Sequence, residues 1–204
     1  MVSRIQCFAI TGGIACGKST VAAWLPRWGG CVLDTDDVVH ELEGSGGEAV
    51  PLIRASFGAG VIGPDGGIDR KQLGQRVFQH PDALGRLNAL IHPLVKRRVE
   101  RWLESPVPDG IRFRAVLVPL LFEAGWAGKP WDAVIAVVCD EREQIRRLIR
   151  RGLDETGARD RIAAQMSCAE KARLADYAIW NTGSRRALRE TAERLFKKLL
   201  ETQL

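Results

Sequence analysis

No stretch of this sequence is apolar for long enough to cross a bilayer, and no basic segment leads into a cleavable apolar run at its N-terminus. A membrane partner and an exported protein are therefore not expected. The five cysteines, at 7, 16, 31, 139 and 168, show no Cys-x-x-Cys and no Cys/His spacing, and their number is odd. They supply neither a metal-ligand pattern nor a disulfide framework, which points to a reducing, cytoplasmic setting. Cys7, Cys31 and Cys139 lie in apolar, strand-like runs, where a thiol is a small hydrophobe. Internal repeats and low-complexity segments are missing too, so solenoid arrays and disordered tracts are set aside. The net charge of +5 is basic. The basic stretches at Lys96-Arg97-Arg98 and 146–151 lack the interleaved aromatics of a nucleic-acid surface. Nucleic acid is not an expected partner, and a polyphosphate substrate accounts for the arginines equally well. The 204 residues, 46% of them hydrophobic, suit one α/β domain with small insertions.

What is present is dominated by Gly12-Gly13-Ile14-Ala15-Cys16-Gly17-Lys18-Ser19-Thr20. This is a glycine, four residues, then Gly-Lys-Ser. The apolar run Ile5 to Ile10 before it reads as a buried parallel strand, and Val21 to Leu25 after it starts a helix that stops before Pro26. Glycines let successive N–H groups point at one anion, and the helix adds the positive end of its dipole. Lys18 can reach the β- and γ-phosphates, and the Ser19 hydroxyl can ligate Mg²⁺. The expected ligand is ATP with Mg²⁺, held by Gly12, Gly13, Ala15, Cys16, Gly17, Lys18, Ser19 and Thr20. Cys16 could be oxidised there, but the favoured reading is a small loop residue.

Cys31-Val32-Leu33 predicts a second strand ending in Asp34-Thr35-Asp36-Asp37. Ligands bind outside the carboxyl ends of parallel strands, so Asp34 is read as a carboxylate that accepts a proton from an attacking hydroxyl. Thr35, Asp36 or Asp37 is read as the cap of the next helix, with Asp34 one step too early for that task. Residues 44–105 are rich in glycine at first and then helical: Ala49 to Phe57, a helix begun at Asp69, and one from Pro81 to about 103. Pro93 should kink or restart this last helix after His92. The stretch is too long for a simple crossover and is read as an acceptor-binding subdomain. Phe113 to Leu121, Ala133 to Cys139 and Tyr177 to Trp180 predict three more strands. Helices are expected over 141–151, 158–166, 171–174 and 185–200. On the first, Arg147 and Arg151 share one face. They could close over transferring phosphates, or simply form a solvated arginine-rich face. The expected fold is α/β, a five-stranded parallel sheet with helices on both faces.

Assembled in order, these residues resemble the dephospho-CoA kinases, which have a phosphate-loop, nucleotide-kinase-like fold. The resemblance spans nearly the whole chain. It rests on Thr11-Gly12-Gly13-Ile14 leading into Gly17-Lys18-Ser19-Thr20, on Asp34-x-Asp36, Asp69-Arg70-x-x-Leu73, Asn88-x-x-x-His92-Pro93 and Pro119-Leu120-Leu121-Phe122-Glu123. It continues through Arg147-Leu148-x-x-Arg151, Arg161-Ile162-x-x-Gln165, Lys171, Ala175-Asp176 and Asn181-x-Gly183. It implies ATP-dependent phosphorylation of the ribose 3′-hydroxyl of dephospho-CoA. Asp34 would be the base or hydroxyl anchor, with Asp36, Arg70, His92 and Glu123 on the acceptor side. Arg147 and Arg151 would close on the phosphates, and Asn181 would lie near the adenine. The implied parts are a core of 1–43, 106–150 and 172–204, an acceptor subdomain of 44–105 and a small lid of 151–171. Many relatives carry an aspartate two residues before Pro-Leu-Leu; here that position is Leu117. Asp34 is then expected to serve both metal and acceptor. A kinase for a nucleoside monophosphate or sugar acid would keep the same loop and change only 44–105. A guanine-nucleotide switch should show Asn-Lys-x-Asp after a late strand, and Asn181-Thr182-Gly183-Ser184 lacks its lysine and aspartate.

Overall fold

The computed structural model describes residues 5–77, 80–128 and 131–201. The outermost ends of the expected core, 1–4 and 202–204, lie outside the described residues. Among the described residues, β1 (Gln6–Gly12), β2 (Gly30–Asp34), β3 (Phe113–Leu117), β4 (Ala133–Val138) and β5 (Tyr177–Trp180) form one sheet. The helices are α1 (Lys18–Ala22), α2 (Thr35–Glu43), α3 (Val50–Phe57), α4 (Arg70–Val77), α5 (Pro81–Glu104), α6 (Glu141–Ile149), α7 (Glu155–Ala163), α8 (Cys168–Leu174) and α9 (Arg185–Glu201). None is long and apolar enough to cross a membrane.

The sheet is all-parallel, in the order β2-β3-β1-β4-β5. β1 is central, with Phe8 opposite Ala115 on one side and Ala133 on the other. β3 and β4 are buried along their whole length, as parallel strands covered on both faces must be. One sheet face presents Phe8, Ile10, Phe113, Ile135 and Val137 to α1 and α9. α9 meets it with Leu188, Ala192, Phe196 and Leu199 at helical spacing. The rings of Phe113 and Phe196 stack at 5.3 Å. The alternate residues of β1 and β4 face the other way, where α8 packs.

The chain divides into two compact units, one of residues 1–33 and 106–204, the other of residues 34–105. The second begins at Asp34 rather than at 44 because α2 packs on α5. Its interior includes Val38, Leu42, Ile53, Leu73, Ile91 and Val95. Glu41 and Glu43 of α2 bind Arg98 and Arg70, each at 2.7 Å.

Several boundaries differ from the sequence expectation. Pro93 neither stops nor restarts α5, which runs unbroken for 24 residues. A mid-helix proline costs roughly 3 kcal/mol, and the buried face of Leu87, Ile91, Leu94, Val95 and Val99 offsets it. α1 ends at Ala22, and Pro26 sits inside a separate 3₁₀ turn, Leu25–Trp28. The third strand ends at Leu117, before Pro119, which has no N–H to continue the ladder. α6 ends at Ile149, so Arg151 lies in the following turn and not on the helix beside Arg147. α7 starts at Glu155, earlier than expected, because the Asp154 side chain accepts from the Gly157 N–H at 2.8 Å and caps it.

Candidate active site

The loop between β1 and α1 is shaped by two close approaches. A Cβ at Gly12 would stand 1.9 Å from the Val137 carbonyl oxygen, so β1 can end against β4 only with glycine. Gly17 has φ +104°, and a Cβ there would meet Asn181 Nδ2 at 2.6 Å. Ala15 is held at φ 59°, an uncommon value for a residue with a side chain. The surrounding packing holds it: Ala15 sits in a small apolar cluster with Leu148 and Ala158.

Five consecutive loop carbonyls each accept a side-chain hydrogen bond, two from the loop's own Lys18 and three from remote residues. Lys18 Nζ donates to Gly12 O at 3.0 Å and Gly13 O at 2.9 Å. Gln144 Nε2 donates to Ile14 O at 2.8 Å. Arg147 Nη1 donates to Ala15 O at 3.0 Å, and Asn181 Nδ2 to Cys16 O at 2.8 Å. In a trans peptide the C=O and N–H point in opposite directions. Pulling the carbonyls out therefore turns the Ala15 and Gly17 N–H groups to the other side, beside the first donors of α1. Two loop N–H groups are engaged otherwise: Ile14 donates to Gln165 Oε1 at 3.1 Å and Cys16 to the Gly13 carbonyl at 3.3 Å. The result is a preformed concavity of donors, the arrangement that binds a polyphosphate.

The latches come from far along the chain. Gln144 is buried on α6, and Asn181 is buried just after β5. Arg147 also donates to Asn181 O at 3.2 Å and to Glu143 Oε1 at 2.7 Å. The Glu143 carboxyl is held down to about 2, first by Arg146 and then by Arg147. Arg147 is thus engaged beneath the loop, while Arg151 is exposed. The Ser19 hydroxyl sits exposed in the first turn of α1.

The other expected residues are placed as follows. Asp34 is the N-cap of α2: its Oδ1 accepts from the Asp36 N–H at 2.9 Å. The expectation that Thr35, Asp36 or Asp37 would cap is corrected, because the strand runs directly into the helix with no linking residue. Arg70 binds Glu43, and its side chain is half-exposed. Burial on α5 pushes the His92 imidazole below its ordinary 6.5. Glu123 accepts from the buried Lys171 ammonium at 2.8 Å and from the Met166 N–H at 3.0 Å. Lys171 also donates to Pro119 O at 2.7 Å, so this pair ties α8 to the turn after β3. Among the described residues no group of three His, Cys, Asp or Glu side chains could hold a metal alone. Ser19 fits Mg²⁺ as a hard oxygen ligand whose remaining positions are filled by phosphate oxygens and water.

Sequence reasoning missed Gln144 altogether, since nothing in spacing marks a glutamine whose partner is a carbonyl 130 residues away. It also missed that Cys16 touches Cys139 at 3.2 Å and Cys168 at 3.4 Å.

The profile of a known family, described as dephospho-CoA kinase, matches residues 6–186. A dephospho-CoA kinase of Symbiobacterium thermophilum is 41% identical over 88% of this chain and 75% of its own length. One of Thiobacillus denitrificans is 41% identical over 94% of each. Among solved structures, TT1252 from Thermus thermophilus superposes with a TM-score of 0.80 at 33% identity, over 97% of this chain and 99% of that one. A shikimate kinase from Acinetobacter baumannii, at 16% identity and a TM-score of 0.54 over 98% of this chain and 96% of its own, shares the fold. With the phosphate loop, the sheet order and this match over most of its length, the chain belongs to the dephospho-CoA kinase family.

Proposed function

We propose that this protein transfers the γ-phosphoryl group of ATP to the ribose 3′-hydroxyl of dephospho-CoA, giving CoA and ADP, the last step of coenzyme A synthesis. The observation that carries the donor half is the loop whose five carbonyls are held by side chains, three of them from remote residues. Family membership supports the acceptor. The Ala15, Gly17, Lys18 and Ser19 N–H groups receive the β- and γ-phosphates, and the Lys18 ammonium neutralises their charge. The Ser19 hydroxyl would hold Mg²⁺, which would supply further neutralisation of the phosphate charge. Asp34 orients the acceptor hydroxyl and takes its proton as the oxygen attacks phosphorus in line with the departing ADP oxygen. The half-exposed Arg70 guanidinium and His92 are the acceptor-side groups. Arg147 keeps the loop in shape. Arg151, in an exposed turn, is the arginine assigned to the transferring phosphate, and 151–171 is the segment proposed to shield it from water. The five thiols, none in a disulfide, suit a cytoplasmic enzyme.

The test is ADP release with ATP and Mg²⁺, with dephospho-CoA in one reaction and AMP, adenosine, shikimate, gluconate or buffer in the others. Release with dephospho-CoA alone, with CoA as product, is expected. Release with another acceptor only would overturn the proposed substrate and the reading of residues 44–105.

A further inference from the structure

Three thiols that the transfer reaction does not use meet directly under the phosphate loop. Cys16 is wholly buried inside the loop, and Cys139 lies just past the end of β4. Cys168 opens α8. Cys16 Sγ lies 3.2 Å from Cys139 Sγ and 3.4 Å from Cys168 Sγ. The group is pressed on the loop backbone: a Cβ at Gly13 would come within 2.5 Å of Cys168 Sγ and 3.0 Å of Cys16 Sγ. A cleft of about 280 Å³ reaches it, lined by Gly13, Cys139, Gln144, Gln165 and Cys168 among others. That volume is several times the roughly 30 Å³ a water takes in the liquid, which is room for a small oxidant.

We propose that Cys139 and Cys16 form a peroxide-reactive pair whose disulfide takes the phosphate loop out of its ATP-binding shape. The geometry assigns the two roles. Cys139 faces the cleft and has Arg147 Nη1 at 4.0 Å from its sulfur. A guanidinium at that place favours the thiolate, the reactive form. The contact with Cys16 and the Arg147 charge draw the Cys139 thiol below its ordinary value, against the effect of burial. The Cys16 thiol is pushed up to about 12, chiefly by Cys139 and by burial, and Cys168 is pushed up as well, by Cys16 and by burial. Cys139 therefore reacts first.

The Cys139 sulfur attacks one oxygen of hydrogen peroxide. An S–O bond forms, the O–O bond breaks, and the departing hydroxide takes a proton to become water. The Cys16 sulfur then displaces the oxygen from Cys139. An S–S bond forms, the S–O bond breaks, and the Cys16 proton leaves with the hydroxyl as a second water. Two thiols lose two electrons and one peroxide is reduced. Closing the pair from 3.2 Å to a bond of about 2.05 Å takes up about 1.1 Å. β4 pairs with β1 on one side and β5 on the other, so the loop is what yields. Its neighbour Ala15, already at φ 59°, leaves little slack. A misplacement of about 1 Å costs on the order of 100-fold in the rate of a positioned reaction.

The inference rests on ATP occupying this loop and not on the identity of the acceptor. The reduced full-length protein is treated with hydrogen peroxide, with and without ATP and Mg²⁺. Peptide mapping without reductant, ATP affinity and ADP release are then measured. Expected are a Cys16–Cys139 cross-linked peptide, lowered ATP affinity, ADP release slower by on the order of 100-fold, recovery of both with dithiothreitol, and slower cross-linking when ATP is bound. Cys168→Ser should respond as the unmodified protein does. Cys139→Ser, or Cys139→Ala should the serine not fold, should begin active and resist peroxide. Inactivation without a cross-link, a Cys16–Cys168 bridge instead, or a Cys16–Cys139 bridge with undiminished ATP affinity would each overturn the proposal. A protein that forms the bridge, loses ATP and phosphorylates a different acceptor would sink the dephospho-CoA reading and leave this one standing.

Discussion

Gln144→Met tests whether the phosphate loop is held by its outside latches. Methionine is close to glutamine in length and flexibility, so the buried site on α6 stays filled. What is lost is the 2.8 Å bond to the Ile14 carbonyl. Leaving such an acceptor unsatisfied costs about 1–3 kcal/mol. Ile14 is only half-buried and follows Gly13, which lines the cleft, so the free loop can relax by turning this carbonyl toward water. ATP binding must then reverse the turn, and the cost appears in affinity more than in stability. At 1.4 kcal/mol per decade, the dissociation constant should rise by about 5- to 150-fold. Calorimetric titration with ATP, GTP and tripolyphosphate measures it. The loss should be similar for all three, because the loop holds phosphates and not the base. Gln165→Met removes the other bond to the same residue, at 3.1 Å, and the double variant should lose less than the sum of the two. An unchanged affinity together with a lowered melting temperature would refute the reasoning, for it would mean the loop keeps its shape without the latch. A loss confined to ATP would refute it too, since Gln144 would then act on the base.

Asp34→Asn separates the two tasks of that residue. Asparagine caps as well as aspartate, so stability should hold while the transfer rate falls by about 10²- to 10⁴-fold; a kcat kept within a few fold would remove Asp34 from proton transfer. Arg151→Ala should lower kcat more than it raises the KM for ATP, and the reverse split would assign Arg151 to ground-state binding. Lys18→Ala should abolish transfer, as checked by ADP release with dephospho-CoA. His92 has a folded value below its ordinary 6.5, so the unfolded chain takes up the proton first. Its contribution to stability is present above 6.5 and lost as pH falls through the lower folded value. Denaturation followed down from pH 7 should show a shallower loss for His92→Gln; an equal slope would refute the burial argument.

Local signals were enough for much of this protein. Gly12 to Thr20 announces its loop because the glycines and Lys-Ser stand next to one another in the chain. β5 was legible to the residue and α9 nearly so, since apolar spacing and the flanking turns lie within a single window. Long-range packing overrode the local signals elsewhere. Pro93 reads as a helix breaker, yet α5 continues through it because its buried face outweighs one missing hydrogen bond. Asp34 reads as too early to cap because the sequence does not reveal that β2 runs straight into α2. Arg147 reads as a phosphate ligand because its charge is visible and its partners, the Ala15 and Asn181 carbonyls, are not. By itself the sequence determined the chemistry of the loop and the order of strands and helices along the chain, which depend on neighbours. Only the tertiary structure decided what holds the loop open. The Gln144, Arg147 and Asn181 latches and the Cys16–Cys139 contact join residues more than 120 positions apart. Parallel strands need long crossovers, so the groups gathered at one edge of the sheet arrive from remote parts of the chain.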